Sequence, residues 1–413
     1  MNTVTLEDAG SLPRWRRPES LLILVAFAMP VAFATWSALL NNFVIEVASF
    51  TGVEIGWLHT VREIPGFFAI GVILLILFIR EQVLAVLALV LLGLATAATG
   101  YFPSFSGILV LTLLSSIGFH YFETVNQSLQ LQWIDKARAP RMLGWLTGAA
   151  SASSLLCYLV IVFLWVPLGL TYNIVYGAAG AFTAIVAVFV GFAYPRFEAP
   201  HPQNKSMVLR RRYWLYYVLQ FMSGARRQIF VVFAGFMMVE QFGMKVHEMT
   251  ALLLVNYVLL TFAGPLMGRA LGRWGERRVM VFEYLGLTAV FLAYGGIYWF
   301  GWGIVVAGGL YILDQMFFAL SFALKTYFQK IADPRDIAPT AAVAFTINHI
   351  AAVFLPAVLG YVWAVAPDYV FAMGAAMALI ALILALLIPR DPEAGNETIF
   401  ARRGHAGQPL AAE

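Results

Sequence analysis

Charge is scarce in this chain: of 413 residues, only 12% are Asp, Glu, Lys or Arg. A soluble domain carries about 25%, so the shortfall argues against an ordinary water-soluble globule. Cysteine is nearly absent as well. Cys157, the only one, allows no intramolecular disulfide and no thiolate zinc site. Nothing in the sequence matches a phosphate-binding glycine loop, an HExxH metal pair or a nucleophile elbow. An ATP-driven pump and a membrane-embedded enzyme therefore lack support, and no cofactor and no metal site are expected.

What fills the chain is apolar: 61% of it is hydrophobic and 15% aromatic, with a mean hydropathy of +0.81. A bilayer core about 30 Å thick takes roughly 20 apolar residues per helix. With that ruler the sequence predicts an all-α integral membrane protein of twelve transmembrane helices: 19–45, 52–79, 82–101, 106–133, 141–166, 170–194, 213–240, 248–270, 279–300, 303–329, 337–364 and 368–389. The first run is too long for a signal peptide's apolar region and is read as a retained span.

Cytoplasmic loops are enriched in Lys and Arg. With the amino terminus inside, the inner connections hold Arg14, Arg16, Arg17, Arg80, Lys136, Arg138, Arg141, Arg196, Arg210, Arg273, Arg277, Arg278 and others, whereas the outer ones hold only Lys245. Both termini are thus expected in the cytoplasm, and the net charge of +4 is a topology signal. A nucleic-acid partner has no basis.

The longest internal polar stretch, 195–212, is Pro-containing and basic and is read as a cytoplasmic linker. It separates an amino-terminal six-helix half, 19–194, from a carboxy-terminal half, 213–389; residues 1–18 form a cytoplasmic lead and 390–413 a disordered tail. A weak repeat supports the halving, since LQWIDKARAPRMLGWLTGAA resembles TYFQKIADPRDIAPTAAVAF, with Arg138 and Arg335 in equivalent places. Related six-helix halves around a central cavity are the parallel-repeat plan of large secondary transporters.

The segment GPLMGRALGRWGERRVM, between the eighth and ninth spans, resembles the signature loop of the major facilitator superfamily, with Gly268, Arg273, Gly275, Arg277 and Arg278 in place. Gly272 stands where that signature has an acid and Glu276 where a base is common, and the matching loop of the first half has shrunk to little more than Arg80. The resemblance implies a carrier working by alternating access, a gating role for this loop, and a cavity lined by the first, second, fourth and fifth helices of each half.

Intramembrane charge is costly and is kept where it meets a partner or a watery cavity. Arg62 and Glu63 lie about ten residues, or ~15 Å, into the second span, and Arg226 and Arg227 at mid-depth in the seventh. His120, Glu123, Gln127 and Gln130 recur at helical spacing as one stripe of the fourth span. Asp314, Ser321 and Lys325 share a face of the tenth, and Asn348 and His349 sit mid-depth in the eleventh. Glu283 falls near a span end and is discounted. Spans three, six, nine and twelve carry no mid-depth charge, as the resemblance implies for outer helices.

Guanidinium groups suit anionic oxygens, so Arg62, Arg226 and Arg227 are candidate contacts for an anionic organic solute, with Gln127, Ser223 and Asn348 beside them. The competing reading makes the arginines counter-ions of Glu63, Glu123 and Asp314. Proton coupling needs a group that can change charge within a buried site; Glu123, Asp314, His120 and Glu63 are the candidates. The expected protein is a monomeric, proton-coupled carrier of a small molecule, resident in the lipid bilayer of a bacterial inner membrane. A multidrug-like antiporter and a non-transporting relative acting in assembly or sensing are the alternatives.

Overall fold

The computed structural model describes residues 3–68, 71–76, 78–134, 138–198, 209–333 and 336–401. Helices dominate it: α1 (Pro18–Glu46), α2 (Gly52–Phe67), α3 (Gly71–Leu75), α4 (Glu81–Thr99), α5 (Phe105–Trp133), α6 (Ala139–Leu164) and α7 (Tyr172–Ala193) precede the linker. After it come α8 (Trp214–Ile229), α9 (Gly235–Glu240), α10 (Val246–Phe300), α11 (Ile304–Phe318), α12 (Phe322–Ile331), α13 (Ile337–Val365) and α14 (Pro367–Leu386). Among the described residues, nine helices are long and apolar enough to cross a membrane.

Local sequence explains several boundaries. Ser104 and Thr171 cap α5 and α7 by accepting the N–H groups of Gly107 and Ile174. Pro18 opens α1, where the missing N–H costs nothing. Inside α10 the backbone leaves helical geometry only at Gly275, with φ 75° and ψ 165°, a combination open essentially to glycine. That break separates the lengths expected as the eighth and ninth spans.

Three expected spans are interrupted. In the second, α2 ends at Phe67 with Phe68 in a turn and α3 begins at Gly71, residues 69 and 70 lying outside the described residues. The seventh holds a π-helical turn, Phe230–Ala234, directly after the paired arginines, and the tenth a 3₁₀ turn, Ala319–Ser321, between α11 and α12. Such irregular turns inside long helices concentrate at functional sites.

Both polar ends are more structured than their composition suggests. Thr3–Thr5 forms a strand, β1, pairing in parallel with β2, Arg196–Glu198. The Gln82 amide holds β2 in place, accepting from Phe197 N–H at 3.0 Å and donating to the Pro195 carbonyl at 2.9 Å. The tail expected to be disordered from residue 390 is folded through Ala401: Gly395, at φ 88°, turns it back, and the Tyr327 hydroxyl donates to the Glu397 carbonyl at 2.5 Å. A buried tyrosine needs such a partner, and composition alone does not reveal it. Residues 402–413 and 199–208, and Lys136 and Arg335, lie outside the described residues.

The chain divides into two compact units, one of Met1–Phe50, Val61–Gln203 and Met244–Leu254, the other of Thr51–Thr60, Asn204–Gly243 and Val255–Glu413. Each half thus cedes a short length, the start of α2 and the start of α10, to the other's unit. In the first unit α4 meets α7 so closely that a Cβ on Gly180 would lie 2.3 Å from the Ala97 nitrogen. In the second, the start of α2 packs on α13, where a Cβ on Gly56 would lie 2.4 Å from the Pro356 carbonyl oxygen.

Candidate functional site

In the first unit, α2 carries Arg62 beside Trp36 of α1, its guanidinium carbon 5.8 Å from the indole centroid. The Arg62 guanidinium pairs with the Glu63 carboxylate, and the Ser116 hydroxyl of α5 donates to the Arg62 carbonyl. With Phe33 and Phe119, stacked at 4.5 Å, and His120, they line a cleft of about 20 Å³, roughly room for one water molecule. The stripe expected on α5 is graded: His120 is buried, Glu123 half-buried and Gln127 exposed. Glu123 has no ion-pair partner among the described residues.

The second unit encloses a different constellation. Arg226 of α8 is 2% exposed and reaches Glu283 of α10 with Nη2 to Oε1 at 3.4 Å. Its guanidinium carbon also lies 5.7 Å from the Tyr284 ring and 5.6 Å from that of Phe318. Asp314 of α11, equally buried, is close enough to feel the charges of both Arg226 and Glu283. Arg226 Nε, Glu283 Oε2, Asp314 Oδ1 and the Tyr294 hydroxyl have no hydrogen-bond partner among the described residues. Arg226 thus pairs with Glu283, while the Asp314 carboxylate is buried in the same unit without a hydrogen bond to the guanidinium.

This arrangement revises two sequence expectations. Glu283, discounted in the sequence for its place near a span end, is fully buried about seven residues after Glu276 and pairs with Arg226 of α8. Arg226, expected beside solute, is enclosed by its own unit and occupied by an acid. Hydrophobic spacing places both on helices but does not show which neighbour covers them.

Around this cluster, Arg227 is half-buried and Ser223 buried. Asn348 of α13 packs on α8 at Gly224, where a Cβ would lie 2.8 Å from its amide nitrogen, and donates to the Gln220 carbonyl at 3.4 Å. In the signature loop, Gly268, Arg273 and Arg278 are exposed and Arg277 half-buried. Glu276, the departure from the family pattern, is buried and accepts from Lys330 Nζ at 2.9 Å, tying the loop to the end of α12.

Asp336, just before α13, was not singled out in the sequence. It gathers Arg210 Nε and Arg212 Nη2, each at 3.2 Å, and the Tyr213 hydroxyl at 3.1 Å. Burial pushes its carboxyl up, but the hydrogen bonds from Arg210 and Tyr213 outweigh that and hold it below its usual 3.8. The clamp fastens the start of α8 to the start of α13. Its ligands lie more than a hundred residues from it in sequence, so only a structure reveals it.

Apolar helices long enough to span a bilayer, broken beside buried ion pairs, are the build of a multi-pass membrane carrier. The chain belongs to the Major Facilitator Superfamily, whose model matches residues 21–356. It is therefore a membrane transporter of small molecules and not an enzyme. No curated protein matches it in sequence.

Solved structures share its fold. The nucleoside transporter NupG in its D323A form superimposes with a TM-score of 0.70 at 13% identity, over 89% of this chain and 99% of that one. The unsubstituted NupG gives 0.68 at 13%, over 89% and 98%. A bacterial homologue of the human lysosomal transporter Spinster, in an inward-facing, occupied conformation, gives 0.66 at 14%, over 89% and 95%.

Proposed function

We propose that this protein is a proton-coupled secondary transporter that moves a small organic solute across a bacterial inner membrane by alternating access, with both termini in the cytoplasm. The Arg226–Glu283–Asp314 cluster carries the proposal. Two carboxylates beside one guanidinium balance when one carboxyl holds a proton, and an unbalanced charge in a dry interior is costly. Releasing or taking up that proton shifts the balance of a group set against the 3₁₀ turn at Ala319–Ser321, which supplies a way to couple proton occupancy to helix movement. Glu123, with no ion partner among the described residues, and His120 beside the Arg62 cleft are the proposed relay in the first unit.

The candidate solute contacts, each taken within its own unit, are Arg62, the aromatic cleft and Gln127 in the first, and Arg227, Ser223 and Asn348 in the second. An anionic solute remains served by Arg62 and Arg227, while Arg226 is committed to Glu283. One observation favours a second reading, a neutral solute bearing a planar ring. Arg62 already pairs with Glu63, and Phe33, Trp36 and Phe119 form an aromatic wall beside Ser115 and Ser116. That wall would take a planar ring once the cleft, now with room for about one water, opens. NupG is named a nucleoside transporter, a cargo of that shape.

The test is a thermal-shift screen of the purified protein against anionic, neutral ring-bearing and cationic metabolites, followed by flux of any hit into proteoliposomes with and without a pH gradient. A ligand of the native state raises the melting temperature. Stabilisation by anions that vanishes in Arg227→Ala supports the anionic version; stabilisation by neutral ring compounds that vanishes in Trp36→Ala supports the second. Flux indifferent to the gradient would remove the proton.

A further inference from the structure

A second cavity lies away from both constellations, at the end of the first unit where α1 begins, α5 ends and α6 begins. It holds about 720 Å³, within the range of small-molecule sites. The lead before α1 forms one wall, folded by β1 and by Arg17, which donates to the Gly10 carbonyl at 2.7 Å and the Leu12 carbonyl at 3.1 Å. Glu7 and Arg17 of the lead and Glu19 at the start of α1 line that side, and Arg138 and Arg141 at the start of α6 line the cavity as well. Trp133 and Trp145 line it too, the latter 61% exposed.

Charges of both signs thus share one cavity, yet none of Glu7, Glu19, Arg138 and Arg141 has an ion-pair partner among the described residues. Arg17 is held by the Gly10 and Leu12 carbonyls, which leaves the two acids and the two α6 arginines facing the cavity without an ion pair. The first turn of α6, with no side chain capping it, adds positive potential beside the two arginines. Tryptophan at the end of a membrane bundle marks the headgroup level of the bilayer.

We infer that this cavity binds the zwitterionic headgroup of a phospholipid with a primary amine, a phosphoethanolamine group. Its phosphodiester oxygens accept from Arg138 and Arg141, its ammonium donates to Glu7 and Glu19, and its glycerol end lies along Trp145. A choline headgroup fills similar space but has no N–H to donate, and a glycerol headgroup leaves both acids without a cation. Because the amino-terminal lead forms a wall, the bound lipid also holds that lead against the bundle.

The experiment melts the full-length protein in detergent micelles doped with phosphatidylethanolamine, phosphatidylcholine or phosphatidylglycerol, and separately with soluble phosphoethanolamine, with bound lipid counted by native mass spectrometry. Phosphatidylethanolamine is expected to stabilise most. Arg138→Gln/Arg141→Gln and Glu7→Gln/Glu19→Gln are each expected to weaken it about tenfold or more, to the level of the choline lipid. Arg211→Gln/Arg269→Gln, which removes two exposed arginines elsewhere, is expected to change nothing. All four lining residues are polar groups at the cavity surface, and melting without lipid shows that the variants fold. Equal response to all three lipids, or loss in the control variant, overturns the site. Preference for phosphatidylglycerol that depends on the arginines alone makes it a plain anion site. Equal stabilisation by soluble phosphoethanolamine makes the ligand a free metabolite. Either result overturns the lipid assignment.

Discussion

Arg226 and Glu283, 57 residues apart in sequence, meet at 3.4 Å with both side chains shut away from solvent. Removing one partner of such a pair strands a buried charge, which costs about 3–5 kcal/mol. Arg226→Met and Glu283→Gln are each expected to lower the melting temperature strongly. The double variant is expected to be less destabilised than the sum, because neighbours in one network are not additive. A thermal double-mutant cycle checks this, and strict additivity would show that the two do not support each other.

Asp314 differs from Glu283 in making no hydrogen bond to the arginine. Asp314→Asn is therefore expected to fold, to keep solute exchange between equal concentrations across proteoliposome membranes, and to lose accumulation driven by a pH gradient. Accumulation at the parent's level would place the proton elsewhere, with Glu123→Gln the next variant to assay.

The stacked rings of Phe33 and Phe119 bear on solute recognition. An aromatic pair is worth about 0.5–1.5 kcal/mol beyond its buried area, so Phe119→Ala is expected to weaken a ring-bearing solute about two- to tenfold. Titration calorimetry with a hit from the screen measures this. A solute without a ring is expected to be indifferent to the change.

Asp336 sets an acid limit. Its carboxyl is held below the usual 3.8, so the charged form is the one the fold prefers. The stability it contributes is complete above that unfolded value and is lost as pH falls through the lower folded one. Asp336→Asn is expected to lower the melting temperature at pH 7, with the gap to the parent closing below about pH 4. A gap constant from pH 7 to 3 would mean that the clamp acts through shape alone.

Gly275 carries φ 75° and ψ 165°, where a side chain is strained by about 1–3 kcal/mol. Gly275→Ala is expected to destabilise by that order or to force the two lengths of α10 to realign, moving Glu276 off Lys330. Lys330→Ala should then add little further. Chemical denaturation of the two single variants and the double one tests it.

The membrane class, the long apolar helices and the family are legible along the chain, because they follow from quantities counted on it: apolar run length and the spacing of Gly268, Arg273 and Gly275. The sequence also brought Arg62, Arg226, Asp314 and the α5 stripe into view, since a charge within an apolar run is conspicuous whatever surrounds it. What each charge faces was beyond its reach. Glu283 was discounted for lying near a span end, yet it is fully buried against Arg226; Arg226 was weighed both as a solute contact and as a counter-ion, and the acid it meets is Glu283. Asp336 drew no notice, although three side chains from around the start of α8 converge on it. The tail from Arg390 looked disordered, yet one glycine turn and the Tyr327 hydroxyl give its described part, through Ala401, a place. Periodicity fixes which face of a helix a residue occupies. Only the packing of other helices decides whether that face meets lipid, water or an opposite charge, and the cost of burying an ion makes that decision the chemistry of the site.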